Sequence, residues 1–148
     1  MAPAVAIILA CSLAACSTPD ETGTTAQRVQ AWAAGTSFQK SAAALRADVA
    51  RIRRNHRTAK ASVVEFNCYT LGQDAMKANA KLVTPDHTLS LELSKAYDSY
   101  YNYALSCVHD KGAAAPLDAL APRLAAGDRE MAKAQARLHV LTGAPAKG

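Results

Sequence analysis

Residues 64–107 read VEFNCYTLGQDAMKANAKLVTPDHTLSLELSKAYDSYYNYALSC, and the apolar spacing of this stretch decides the fold. Val64, Cys68, Leu71, Ala75, Ala78 and Leu82 recur at alternating steps of four and three, as do Leu89, Leu93, Ala96, Tyr100, Tyr103 and Cys107. Such alternation keeps one stripe of an α-helix turned toward a partner. Between the two series, Thr84 reads as an N-cap, Pro85 as a first helical residue and Asp86 as an acid favoured by the helix dipole. The stretch is expected to be a helical hairpin with Cys68 and Cys107 on its inner faces. Antiparallel partners lie about equally far from the turn, so the midpoint of the two cysteines moves the expected start of the second helix toward His87 or Thr88.

Outward from the hairpin, the pattern predicts two more helices. Phe38, Ala42, Leu45, Val49 and Ile52 form a stripe behind Ser37, a plausible N-cap. That stripe ends out of phase with the one beginning at Val64. A turn near Asn55-His56-Arg57-Thr58, with Thr58 capping a helix from Lys60 to Val83, absorbs the shift; one long bent helix is the alternative. Gly72 inside that helix costs about 1 kcal/mol relative to alanine and suits a close approach. Beyond the hairpin, Asp110-Lys111-Gly112-Ala113 breaks the chain, Pro116 to Ala121 reads as a short turn, and a last helix carries Leu124, Gly127, Met131, Ala134, Leu138 and Leu141 to Gly143. Upstream, Val29 and Trp32 before Gly35 suggest a short helical turn that lays the only tryptophan over the rest. The expected fold is all-α: an up-down four-helix bundle with a short N-terminal turn, stapled by one disulfide.

Composition agrees. The chain has 148 residues, half of them apolar and only 5% aromatic, with no alternating β-branched runs. One domain is expected by length. No apolar run approaches the roughly 18 residues needed to span a bilayer as a helix.

The N-terminus points to export. Ala4 to Ala15 is short and apolar and closes with Leu13-Ala14-Ala15-Cys16, followed by polar Ser17-Thr18-Pro19. That run suits a signal-peptide core, and small residues before a cysteine resemble the lipobox of bacterial lipoproteins. Residues 1–15 are read as signal peptide, 16–25 as lipidated Cys16 plus a flexible tether, 26–143 as the helical domain and 144–148 as a tail. Cys11 is a poorer lipidation site because Leu9 is bulky where the motif prefers a small residue. Export leaves Cys68 and Cys107 as the remaining pair, in a compartment where thiols are not kept reduced. They are expected to form a disulfide.

Trp32 before Gly35, Leu-x-x-Asp-Val at residues 45–49, Cys-x-x-Leu at 68–71, Thr-Pro-Asp at 84–86, Ala-Tyr-x-x-Tyr-Tyr at 96–101 and Cys107 together resemble small, uncharacterised, secreted or lipid-anchored helical proteins of high-GC Gram-positive (actinobacterial) bacteria. The resemblance implies a helical fold, paired cysteines and an extracytoplasmic, lipid-anchored location. It implies no activity.

Two clusters are candidate sites. Arg46, Arg51, Arg53, Arg54, Arg57 and Lys60, offset by Asp48, account for the whole formal net charge of +5. They form a candidate anion-binding surface for anionic lipid or wall polymer, although a solvated face is the plainer reading. Nucleic acid is not expected, because no aromatic residue is interleaved among these charges. Tyr97, Tyr100 and Tyr103 crowd the turns before Cys107 and could line a pocket, though two of them occupy inward positions. His56, His87, His109 and His139 make no metal-ligand spacing, and no nucleophile elbow or phosphate loop occurs. No catalytic residue, metal or cofactor is therefore expected. The reading is a non-enzymatic envelope lipoprotein that binds an unidentified protein or small ligand, with a basic helix resting on anionic membrane or wall polymer as the alternative. Intact-mass analysis of the membrane fraction should find a mature chain beginning at lipid-bearing Cys16; a chain beginning upstream, or lacking lipid, would contradict this.

Overall fold

The computed structural model describes residues 23–143. Cys11, Cys16 and the expected signal peptide, most of the expected tether and the expected tail lie outside the described residues. Five helices follow in order: α1 (Thr25–Gly35), α2 (Phe38–Asn55), α3 (Ala61–Asn79), α4 (His87–His109) and α5 (Ala114–Thr142). No strand occurs among the described residues, and no described helix is long and apolar enough to cross a membrane.

Each helix buries the stripe that its sequence spacing marks. Val64, Cys68, Leu71, Ala75 and Ala78 of α3 meet Leu89, Leu93, Ala96, Tyr100, Tyr103 and Cys107 of α4 in the core. Cys68 and Cys107 are bonded, with their Cα atoms 6.1 Å apart. A Cβ on Gly72 would stand 3.2 Å from that of Ala104, one turn along in the opposite sense, so the two helices run antiparallel. This register places the end of α3 level with about Ala96. The first turns of α4 therefore overshoot α3, and residues 80–86 climb beside them.

Leu89 and Leu93, both fully buried, lie on that overshoot. Helix α1 packs on α5 and α2 and helps cover this end. Its Val29 is fully buried, its Trp32 indole N–H donates to the Lys81 carbonyl at 3.3 Å, and Gln30 donates to the Thr142 carbonyl at 3.1 Å. The sequence reading of a short turn is thus corrected to a three-turn helix, which takes Thr25 from the expected tether. A capping box starts it: Gln27 N–H donates to the Thr24 hydroxyl, and the Thr24 N–H to the Gln27 side chain.

Other boundaries also shift. Ser37 makes no side-chain cap and instead turns the chain in the left-handed region, with φ 55°. Residues 37–83 hold two helices. Lys60, not Thr58, precedes α3, while the Thr58 hydroxyl reaches back to the Arg54 carbonyl. Helix α3 stops at Asn79 rather than Val83. Asp86, not Thr84, caps α4, accepting from the Leu89 N–H at 2.8 Å. Its carboxylate also receives Arg137 at 2.9 and 3.2 Å, and that guanidinium holds the acid below its usual range.

The expected turn at Pro116–Ala121 is instead part of α5. Pro116 sits in the first turn, where amides have no intrahelical acceptor, and Pro122 is carried inside the helix. The inner face of α5 holds Leu117, Leu124, Met131 and Leu138 at seven-residue intervals, all buried. One continuous stripe outweighs the lost hydrogen bond at Pro122. Gly127 on the same face lets Tyr100 approach, since a Cβ there would meet the ring at 2.6 Å. At the other end, Gly112 (φ 68°) turns the chain against the Ala61 carbonyl, where a Cβ would stand at 2.3 Å. Only glycine fits that position.

Two substitutions test this packing. Replacing Cys68 and Cys107 together by alanine should lower unfolding free energy by about 3 to 4 kcal/mol, from the loop that the bond closes. Gly127→Ala should cost about 1 to 3 kcal/mol by overpacking against Tyr100. Urea denaturation measures both.

Candidate functional site

The basic segment and the central tyrosine meet at the seam between α2 and α5. Along α2 and the turn after it, Arg46, Ala50, Arg53 and Arg57 follow one another at near-helical spacing and border α5. The backbones of α2 and α5 come close at few points, whereas α4 packs intimately on both α3 and α5. Long polar side chains bridge the gap. Arg57 donates to both oxygens of Asp118 at 3.1 and 3.0 Å, with the His56 ring 3.4 Å from the same carboxylate. Arg53 pairs with Asp128, and Asp128 accepts the Tyr100 hydroxyl at 2.9 Å. Arg57 holds the exposed Asp118 carboxyl below its usual range.

The six predicted cations therefore divide. Arg53 and Arg57 are tied to α5, and Arg51 turns back to Asp48 at 3.2 Å. Arg46, Arg54 and Lys60 make no ion pair among the described residues. The sequence could not show the carboxylates of α5 that neutralise two of the arginines, because they lie 61 and 75 positions away. Opposite charge on a later amphipathic helix was the only available signal.

The three predicted tyrosines do not share one pocket. All are buried in the core. Tyr97 borders a very small recess with Trp32 and Phe38, Tyr100 forms part of a different cavity, and Tyr103 borders neither. Burial pushes the Tyr97 and Tyr103 phenols up to about 12, and burial together with Asp128 pushes Tyr100 upward too. All three stay neutral at physiological pH.

The cavity at Tyr100 is an open groove of about 260 Å³ between α2 and α5. Small residues at Ala50 and Ala132 leave the space, and Val49 and Met131 supply apolar surface. Its polar groups are Arg46, the linked Arg53, Asp128 and Tyr100, and Gln135, whose buried Nε2 has no hydrogen-bond partner. Arg46, a guanidinium without an ion pair among the described residues, gives the groove a positive group that favours an anion. Among the described residues, no group of three or more His, Cys, Asp or Glu could hold a metal ion.

Asp48 plays a part that the charge tally missed. It is only 3% exposed, one of its oxygens has no partner, and burial, followed by nearby Asp74, raises its pKa. The folded state thus favours the protonated acid, and that contribution to stability is lost as pH rises from about 4 through the raised folded value. Asp48→Asn should therefore melt higher than the parent chain at pH 7, with the gap closing as pH falls below about 4. Thermal unfolding followed by circular dichroism across that range measures the effect.

Comparison of the chain with protein-family profiles, curated proteins and solved structures gave no match.

Proposed function

We propose that the chain is a non-enzymatic, lipid-anchored binding module of the cell envelope, and that its ligand occupies the α2–α5 groove. In this reading, α2 to α5 form an up-down four-helix bundle, α1 closes one end, and Cys16 carries the lipid. The Cys68–Cys107 bond supports an extracytoplasmic place, because such bonds persist where thiols are not kept reduced. The observation that carries the binding role is the Arg46 guanidinium, without an ion pair among the described residues, on a groove walled by Val49 and Met131. Those groups suit a small carboxylate, or similar anion, with an apolar body.

Hexanoate and benzoate serve as probes. At millimolar concentrations they should shift the backbone NMR signals of Val49, Met131 and Gln135. Arg46→Gln should weaken binding about tenfold or more without lowering the melting temperature, whereas Arg54→Gln should leave binding unchanged. Absence of shifts in the groove, or equal binding by the Arg46 variant, would refute the assignment.

A further inference from the structure

Helix α3 has a second apolar face. Its inner stripe fills the core, yet Val63, Phe66, Tyr69 and Met76 are 45%, 65%, 54% and 44% exposed. At 100° per residue, Phe66, Tyr69 and Met76 fall within about 80° of one another and look away from the inner stripe. Phe66 is one of two phenylalanines in the chain, and the other, Phe38, is buried. An aromatic pair standing in water on one helix face is surface built for contact.

Basic residues flank this face at both ends. Lys60 precedes α3, and Lys111 stands nearby because the adjoining Gly112 packs against Ala61 and Glu65. Lys77 and Lys81 lie at the far end, where Lys77 is 3.5 Å from Asp74 and its side chain is 73% exposed. Apolar and aromatic side chains between exposed lysines form the pattern of a helix lying in a lipid headgroup layer. Tyrosine suits that layer, with its ring in the apolar zone and its hydroxyl wet.

The anchor point is within reach. Trp32 fixes α1 to the Lys81 carbonyl at the end of α3. Eight residues separate Cys16 from Thr25. Their fully extended span is at most about 28 Å, matching the length of a helix the size of α3. A lipid on Cys16 would therefore keep the start of α1 within about 28 Å of the bilayer surface.

We propose that the outer face of α3 docks on the anionic bilayer surface, with Phe66 and Tyr69 at headgroup depth and Lys60, Lys77, Lys81 and Lys111 over acidic lipid. The site is separate from the ligand groove and shares only Lys60, the residue before α3, with the basic cluster read from the sequence. The proposal rests on the envelope reading above, but the contact itself can be measured without the anchor.

The test uses unlipidated residues 17–148, which retain all five helices and the whole described core. Flotation with vesicles of phosphatidylglycerol and phosphatidylcholine should show binding that weakens as phosphatidylglycerol is withdrawn or salt is added. Replacing Phe66 and Tyr69 together by serine should reduce partitioning about tenfold or more, and Lys60→Gln with Lys81→Gln should reduce its salt sensitivity. Because these side chains are exposed, circular dichroism should show an unchanged fold. The proposal is overturned if the parent chain does not bind, or if the aromatic pair makes no difference. It also fails if sedimentation velocity shows a dimer that the aromatic substitutions dissolve, since the face would then join two copies of the chain. Fractionation of cells carrying Cys16→Ala tests the anchor separately and leaves the vesicle result standing.

Discussion

The register of α3 against α4 governs the architecture. The Cys68–Cys107 bond and the close approach at Gly72 and Ala104 hold α3 low against α4, so the first turns of α4 have no α3 beside them. That offset calls for the climbing loop, for the Asp86–Arg137 clamp to α5, and for a fifth helix over the exposed end. The covalent link fixes this register where the α3–α4 contact includes small residues such as Ala75, Ala78 and Ala96.

The opposite side of the molecule follows a different physical rule. Where α2 meets α5, charge bridges a gap that apolar side chains leave partly empty. Ion pairs at a hydrated seam contribute little net stability each, but arginine forks fix direction and spacing. The Arg53–Asp128–Tyr100 chain does this at the middle of the seam, and its phenol is buried. The same spacing leaves the groove between the two helices, with Arg46 among its lining residues. The groove arises from incomplete packing.

Much of this fold was readable because helices announce themselves by spacing. The stripes from Phe38 to Ile52, Val64 to Ala78 and Leu89 to Cys107 coincide with buried faces, and the inward positions assigned to both cysteines correspond to a bond. Local chemistry misled where two signals competed. Thr84-Pro85 looked like a helix start, but the Asp86 carboxylate two residues on makes the cap, and the Thr84 hydroxyl organises the loop. Thr24-x-x-Gln27 carried a capping box that the polar stretch around it obscured. Pro116 and Pro122 suggested a break, yet the seven-residue apolar repeat on α5 prevailed. The groove was beyond reach, because its two walls are separate helices whose facing residues no local pattern connects. The same holds for the pairing of Arg53 and Arg57 with acids on α5, which moved a third of the expected anion surface into internal bridges.

Pro122 has one more effect, on how the molecule opens. Without a donor at that position, the Asp118 carbonyl lacks its bond along α5, and residues 114–121 are joined to the remainder by a weakened ladder. Leu117, Leu120 and the Arg57–Asp118 pair are what fasten this segment to its neighbours. It can unzip as a small cooperative unit while the covalently linked α3 and α4 stay folded. Amide exchange should then divide α5 into a fast and a slow portion with the boundary at the proline, making one helix in shape two units in stability.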